Sequence, residues 1–414
     1  KFNKSNPEPI CPDHDILIMS DEAHRSQYGI YANNMMALLP TASRIGFTGT
    51  PLLSNDNITK RTFGDYISVY DFKRAVEDGA TVPLYYENRG DKIANLQNPK
   101  ITDEILDAIE QADLDVNQQE KLEREFAKEI QLLTGKERLE SIARDFVRHY
   151  SDLWTSGKAM FVCLNKVTCV RMYNMVQDYW AKEIARLENE AMQSTQQESQ
   201  ELNRKLAWMK QTEMAVVISQ EQNEVQTFQK WNLDIKIHRQ KMEKRELDKE
   251  FKDSANPLRV VFVCAMWLTG FDVKCLSCLY LDKPLKAHTL MQTIARANRV
   301  SEGKSNGLIV DYIGIIKALQ KALSDYTVNA NGQSGTSPTV DKKELIARIL
   351  DTISAAEVYL QQHNFILQNL LKAQHFQKLA LLQEAANAVS GSLQEKKQFQ
   401  TYASELLRLM KYAD

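Results

Sequence analysis

Short apolar runs that end abruptly in polar or glycine-containing motifs constrain the fold of this chain more than any other feature of its sequence. Residues Ile16–Ser20 lead into Asp21–Glu22, and residues Arg44–Thr48 lead into Gly49 and Thr50. Runs of this length are typical of buried strands in a parallel sheet. In such sheets the groups that act on ligands collect at the carboxyl ends of the strands. We therefore expect an α/β fold with functional groups at strand ends.

The same alternation of apolar runs and helical stretches continues through the second half of the chain. A strand is predicted at Ala159–Leu164, and a helix begins in Val167–Trp180. Helical stretches separate four further predicted strands, which are Ala215–Ser219, Arg259–Cys264, Leu276–Leu281 and Gly307–Val310. Alternating strands and helices indicate parallel β-α-β units.

Composition shifts divide the chain into five parts. They are a partial first α/β lobe (1–90), a helical connector (91–150), a second α/β lobe (151–325) with a helical insert at about 183–210, a flexible linker (326–340) and an all-α module (341–414). The linker is predicted from the Gly, Asn, Ser and Pro content of residues 328–339. The insert is rich in Gln, Glu and Lys, and such a charge run is typical of a solvated helix face.

The charge and apolar content of the chain exclude several classes of protein. Lys plus Arg number 52 and Asp plus Glu number 54, so any nucleic-acid contact has to come from a local groove. The sequence contains no apolar run of ~18 residues, as a membrane span needs, and no secretory signal, so a cytoplasmic protein is expected. Cys275 and Cys278 form a C-x-x-C pair without a second pair, and structural thiols are expected.

The first candidate catalytic motif is Asp21-Glu22-Ala23-His24, directly after a predicted strand. Hydrolysis of a phosphoanhydride needs one carboxylate to hold Mg²⁺ and a second group to orient the attacking water. Asp21 would hold the metal, Glu22 would orient the water, and His24 would couple the nucleotide state to the next motif. An acidic loop or a helix N-cap is the alternative.

Two further motifs join a hydroxyl to a flexible glycine at a strand end. Phe47-Thr48-Gly49-Thr50-Pro51 would bridge the carboxylates and a bound strand, although a simple turn explains it equally well. In Leu268-Thr269-Gly270-Phe271-Asp272, Thr269 and Gly270 would let main-chain N–H groups approach a phosphate. Asp272 would contact a ribose or position an arginine.

The fourth motif is Gln292-x-x-x-Arg296-x-x-Arg299, in a segment with helical character. Spacings of three and four residues are expected to put these side chains on one helix face. Two guanidiniums aimed at one point would neutralise the charge of a transferring γ-phosphoryl group. An exposed basic helix face is the alternative.

The order of these motifs resembles that of superfamily 2 helicases and translocases. The residues of five segments resemble those of the restriction (motor) subunits of type I restriction enzymes. These segments are DEAHRSQYG (21–29), GFTGTPL (46–52), MWLTGFDV (266–273), LYLDKPLKAHTLMQTIARANRV (279–300) and GLIVDYIG (307–314). The resemblance implies RecA-like lobes, the first of them partial here, with ATP and Mg²⁺ in the cleft between them. It also implies a motor on double-stranded DNA, partnered by methyltransferase and specificity subunits.

On this resemblance, Asp21, Glu22, Arg296 and Arg299 are the expected catalytic residues. The expected nucleotide contacts add His24, Gly270, Asp272 and Gln292 to these four. Contacts to DNA phosphates are expected from Thr50, Lys166, Thr269, Lys286 and His288.

The sequence departs from the family in lacking a phosphate loop that ends in Gly-Lys-Ser/Thr, and the nuclease domain. We therefore expect a fragment that is inactive alone and needs an upstream phosphate loop for ATP and Mg²⁺. Two alternatives remain. One is another superfamily 2 helicase or RNA remodeller, although such proteins usually carry Gly where Ala295 precedes Arg296. The other is a non-catalytic assembly fragment that docks through residues 341–414.

Overall fold

The described residues fold around two parallel β-sheets, one of seven strands and one of two. The structure is a computed structural model. It describes residues 9–10, 14–23, 30–49, 63–65, 67–70, 72–93, 96, 98–112, 122, 124–193, 196–268, 270–315, 339–340, 342–373 and 375–410. The α/β class predicted from the apolar runs is confirmed.

Nine strands, β1 to β9, lie in the described part of the chain. They are Leu17–Ser20, Ser43–Gly46, Leu84–Asn88, Lys158–Cys163, Glu213–Val217, Leu258–Val263, Leu276–Asp282, Gly307–Asp311 and Thr339–Val340. β1 and β2 form the smaller sheet, and the larger sheet has the order β5-β6-β4-β7-β8-β3-β9. β4 and β7 are buried at every position, as expected of central strands that are covered on both faces.

Fifteen α-helices, α1 to α15, lie in the described part of the chain. They are Ile30–Leu38, Phe72–Glu77, Asp103–Ala112, Ala127–Leu133, Lys136–Asp152, Lys166–Gln193, Gln196–Gln211, Glu224–Gln229, Ile235–Lys244, Leu247–Lys252, Ala287–Ile294, Lys342–Gln362, Leu367–Lys372, His375–Ala388 and Leu393–Met410. A 3-10 turn, Gly90–Lys92, follows β3.

The larger sheet separates two apolar cores. Phe161 and Tyr280 point into a core with α5, α6 and α7, whereas their neighbours Met160 and Leu279 point into a core with α3, α4, α10 and α11. This alternation follows from the two-residue period of a strand. The helices predicted as a connector therefore cover both faces of the larger sheet.

Two strands lie in the larger sheet although the predicted boundaries separate them from it. β3, within the predicted first lobe, pairs in parallel with β8 from Leu84↔Gly307 to Asn88↔Asp311. β9, at the end of the predicted linker, pairs with β3. The rest of the linker motif, residues 328–338, lies outside the described residues. The division into domains stays a prediction.

The C-terminal module consists of four helices, α12 to α15, in agreement with its predicted all-α character. Tyr359, Leu360, Phe365 and Val389 form its own apolar core. Leu409 of α15 also joins the core on the α5–α7 face of the larger sheet. None of the described helices is long and apolar enough to cross a membrane.

Candidate functional site

Main-chain hydrogen bonds join the first two motifs at the ends of β1 and β2. Ser20 pairs with Gly46 in the parallel register, and the Phe47 N–H donates to the Ser20 carbonyl at 2.8 Å. The Ala23 N–H then donates to the Phe47 carbonyl at 2.9 Å. The segment that carries the carboxylates is therefore held against the second motif, as predicted for neighbouring parallel strands.

Glu22 has a left-handed backbone conformation, with φ of 48°. Its N–H donates to Oδ1 of Asp21 at 2.8 Å, and both residues are exposed. A non-glycine residue in this region is strained, and such residues cluster at functional sites. The acidic pair thus presents two carboxylates at the strand end in a sharply turned segment.

The segment after β6 contains a second strained residue. Trp267 has φ of 68°, and Gly270, with φ of 71°, occupies a conformation that favours glycine. The Trp267 ring stacks on Phe271 with the centroids 4.1 Å apart, and on Phe251 at 5.8 Å. Aromatic stacking on both sides therefore fixes the segment that carries the third motif.

Arg296 is anchored to this segment by its guanidinium. Nη1 donates to the Phe271 carbonyl at 2.8 Å, and Nε donates to the Leu268 carbonyl at 3.3 Å. These carbonyls have no formal charge, so they orient the guanidinium without neutralising it. Arg296 is consequently positioned and still able to attract an anion.

Arg299 is held by a different kind of partner. Its Nε lies 3.3 Å from Oδ1 of Asp272, and both side chains are about half exposed. The main chain of Arg299 also forms an isolated bridge with Thr81. Of the two roles predicted for Asp272, positioning an arginine is therefore the one that the contacts support.

The prediction that Gln292, Arg296 and Arg299 share one helix face is wrong. α11 ends at Ile294, so the buried Gln292 is helical, whereas Arg296 lies in the turn that follows. The Val82 N–H donates to the Asn298 carbonyl at 2.8 Å. The chain leaves the helix to make these contacts beside β3, and a residue-spacing pattern cannot foresee them.

Glu22 contributes to the electrostatic environment of Arg296. Burial and the neighbouring Arg299 lower the pKa of Arg296, whereas the carboxylates of Asp272 and Glu22 act in the opposite direction. Glu22 therefore lies within electrostatic range of Arg296, although 273 residues lie between them in the sequence. The first and last motifs face the same region.

The residues predicted to contact DNA are placed less favourably. Lys166 forms an ion pair with Glu221 and is mostly buried. Lys286 forms ion pairs with Asp107 and with Glu110, the latter at 2.9 Å. Thr50, Thr269 and the predicted nucleotide contact His24 lie outside the described residues, and the side chain of His288 is outside the described part of the structure as well. A DNA phosphate would have to displace a carboxylate from either lysine.

Two buried carboxylates at neighbouring strand ends escaped the sequence analysis. Asp282 ends β7 and pairs with Arg138, with Nη2 and Oδ1 2.6 Å apart. Asp311 ends β8 and accepts N–H bonds from Ile313, Gly314 and Ile315 at 2.7–2.9 Å. Their position after a strand was a signal, but only the fold identifies their partners.

The described cysteines and carboxylates do not build a metal site. Within the described ranges, no group of three or more His, Cys, Asp or Glu side chains could hold a metal ion. Cys275 and Cys278 are free thiols, and burial raises the pKa of Cys278 to about 12.

All four motifs lie in segments of the chain that match known protein families. Residues 1–121 match the SWI2/SNF2 ATPase family, and residues 155–314 match domain 3 of the type I restriction enzyme subunit R. The chain is a homologue of the endonuclease subunits of type I restriction enzymes.

Two relatives illustrate this homology. The HindI endonuclease subunit of Haemophilus influenzae is 38% identical over 340 residues, which cover 77% of this chain and 28% of the relative. The MjaIXP endonuclease subunit of Methanocaldococcus jannaschii is 35% identical over 355 residues, which cover 84% of this chain and 31% of the relative. The chain thus spans less than a third of the length of these relatives.

Among solved structures, a fragment of an HsdR subunit of a type I restriction enzyme from Vibrio vulnificus is similar to this chain. The alignment covers 73% of this chain and 44% of that one, at 18% sequence identity and a TM-score of 0.42.

Proposed function

We propose that the chain is part of the ATP-dependent, double-stranded-DNA translocating motor of a type I restriction endonuclease subunit. It would act in the cytoplasm with methyltransferase and specificity subunits. The observation that carries this proposal is the position of Arg296, which is held by two main-chain carbonyls and lies within electrostatic range of Glu22. Superfamily 2 motors need an acidic pair and an arginine that meet at one nucleotide.

The acidic pair has the donor chemistry that a nucleotide-bound Mg²⁺ requires. Asp21 and Glu22 are exposed carboxylates at a strand end, and Mg²⁺ prefers oxygen ligands. Asp21 would hold the ion, and Glu22 would orient the attacking water and accept its proton. When bound, Mg²⁺-ATP supplies the phosphoanhydride bond that is cleaved.

The two arginines are suited to different tasks. Arg296 bonds only to neutral carbonyls in the hydrogen bonds described above, so its charge would stabilise a transferring phosphoryl group. Arg299 faces the carboxylate of Asp272, which offsets part of its charge. We therefore assign the larger catalytic effect to Arg296, and a positioning role to Arg299 and Asp272. Gly270, Gln292 and His24 would complete the nucleotide contacts.

The assignment is best tested in the longer subunit that carries this segment, assembled with its partner subunits. The phosphate loop that ATP needs is absent from the present sequence. The Glu22→Gln variant should lower DNA-stimulated ATP hydrolysis by about 10²-fold or more. Glu137→Gln, which removes an exposed carboxylate at the start of α5, is the matched control and should leave hydrolysis unchanged. Equal turnover by both variants would contradict the proposal.

The choice of nucleic acid separates the proposed motor from its alternatives. Hydrolysis by the assembled subunit should be stimulated by duplex DNA more than by single-stranded DNA or RNA. Stronger stimulation by RNA would indicate an RNA remodeller. If no nucleic acid stimulates hydrolysis but deletion of residues 341–414 abolishes capture of the methyltransferase subunit, the chain is an assembly module.

A further inference from the structure

A groove of about 250 Å³ lies between α5 and α6, away from the strand-end motifs. Its basic lining consists of Arg144 and Arg148 from α5, and of Lys182 and Arg186 from α6. Tyr179 lies among these four side chains, and Val147 and Glu183 complete the wall. The groove is therefore a cationic surface built around one aromatic ring.

The spacing of the cations places them on the two helix faces that line the groove. Arg144 and Arg148 are four residues apart on α5, and Lys182 and Arg186 are four residues apart on α6. Residues at this spacing are neighbours on one helix face, and like charges there repel one another. A bound anion would relieve the repulsion within such a pair.

Tyr179 orders two of the cations. The Arg144 guanidinium lies 5.4 Å from the ring centroid, and the Lys182 ammonium lies 4.9 Å from it. The Arg144 Nη2 also donates to the Tyr179 hydroxyl at 3.4 Å. These contacts hold the charges in place without neutralising them.

Among the described residues, carboxylates form ion pairs with only one of the four cations, although Glu140 lies within electrostatic range of Arg144. Glu183 and Glu190 both pair with Arg186 at 2.7 Å, and Glu140 pairs with Lys136 at 3.7 Å. Within the described part of the chain, Arg144, Arg148 and Lys182 form no ion pair with a carboxylate. This contrasts with Lys166 and Lys286, which are both paired.

We propose that this groove binds the phosphate backbone of DNA, as a contact separate from the motor cleft. Cβ atoms four residues apart on a helix are about 5–6 Å apart, and each DNA strand carries one phosphate charge per about 3.4 Å of helix axis, so one helix face spans between one and two phosphate steps. Three cations on two facing helices, without a carboxylate ion pair among the described residues, fit such a polyanion. The inference rests on the proposed function only in its choice of DNA over another polyanion.

The test measures binding of the chain to a fluorescent 30-base-pair duplex, without ATP, over a series of salt concentrations. The triple variant Arg144→Ala, Arg148→Ala, Lys182→Ala should bind at least about tenfold more weakly. The slope of log K against log salt should also become shallower by about 2.7, because each phosphate contact contributes about 0.9. Since these side chains are exposed or lie at the groove surface, thermal unfolding should change little.

The matched control removes three exposed cations elsewhere, in the triple variant Arg204→Ala, Lys236→Ala, Lys244→Ala. It should lose less than about threefold in affinity, and equal losses in both triples would overturn the proposal. The single variant Lys182→Glu provides a second test and should weaken binding in the same direction. Competition by polyglutamate as strong as by duplex would instead indicate an acidic polypeptide as the occupant.

Two further outcomes are distinguishable. A single strand of 30 nucleotides that binds as tightly as the duplex would support phosphate recognition but assign the groove to single-stranded DNA. Because ATP is absent, loss of the motor assignment would leave the measured difference between the two triples intact.

Discussion

The guanidinium of Arg296 donates to the main-chain carbonyl of Phe271 at 2.8 Å. This bond joins the turn after α11 to the segment after β6, and the stack of Phe271 on Trp267 fixes that segment from its other side. The third and fourth motifs thus form one structural unit. A substitution in either motif should therefore affect the same site.

Replacement of Arg296 by lysine should impair catalysis more than folding. A lysine ammonium cannot span the two carbonyls of Leu268 and Phe271 with a planar fork. In the assembled subunit, DNA-stimulated ATP hydrolysis should fall by about 10³-fold, while the free energy of unfolding should fall by about 1–2 kcal/mol. Arg204→Lys, at an exposed position of α7, is the control. Unchanged hydrolysis in Arg296→Lys would remove the catalytic role.

Replacement of Trp267 tests the strain in the segment after β6. Trp267→Ala should lower the free energy of unfolding by about 1–3 kcal/mol, because the stacks on Phe251 and Phe271 are lost. Trp267→Gly should be about 1 kcal/mol more stable than Trp267→Ala, since glycine adopts a φ of 68° without strain. Chemical denaturation of the chain measures both values. The usual order, with alanine the more stable, would contradict the left-handed conformation.

The buried ion pair between Arg138 and Asp282 should tolerate removal of both partners better than removal of one. The two side chains are 6% and 2% exposed. Arg138→Met should destabilise the chain by about 3–5 kcal/mol because it leaves a buried carboxylate unpaired. Burial already raises the pKa of Asp282.

The double variant Arg138→Met, Asp282→Leu should recover most of that loss in chemical denaturation. Lys136→Met, which removes a side chain 3.7 Å from Glu140 at the exposed start of α5, should change stability by less than about 0.5 kcal/mol. A double variant as unstable as Arg138→Met would show that the carboxylate is not the source of the cost.

His238 should make folding sensitive to mild acid. Burial, with a smaller effect of Lys241, lowers its pKa from 6.5 to about 4. Below pH 6.5 the unfolded chain therefore binds a proton that the folded chain does not bind until about pH 4, so stability falls as the pH falls through this window.

Between pH 7 and pH 5 the native chain should lose about 2 kcal/mol more than His238→Gln, as measured by urea denaturation at each pH. The Tyr173 ring, with its centroid 4.7 Å from that of His238, helps to keep the imidazole buried. Parallel pH profiles for the two proteins would show that His238 does not titrate in this way.

The local sequence was sufficient to predict those strands whose positions are determined by burial alone. The strand predicted at Ala159–Leu164 lies at Lys158–Cys163, and the one predicted at Leu276–Leu281 extends by one residue to Asp282. Both are central strands, so every position has to be apolar or satisfied, and the run of apolar residues marks them directly. The all-α character of the C-terminal module was equally evident from its composition.

The sequence was insufficient where a partner lies far along the chain. β3 lies within the predicted first lobe, and nothing local shows that it pairs with β8 rather than with β1 and β2. The spacing of Gln292, Arg296 and Arg299 predicted one helix face, yet the helix ends at Ile294. Tertiary contacts beside β3 replace the last turn of the expected helix.

By itself the sequence determined most of the strands, the order of the motifs and their chemistry, because short-range patterns of apolar and polar residues mark strand segments and the groups that end them. It did not determine burial throughout, since Leu17 and Met19 of β1 are exposed. Only the tertiary structure decided which of those groups meet. It placed Glu22 in the field of Arg296, occupied Lys166 and Lys286 with carboxylates, and left three cations of the α5–α6 groove without such partners among the described residues. Distances between residues far apart in the chain depend on packing, and packing is a property of the whole fold.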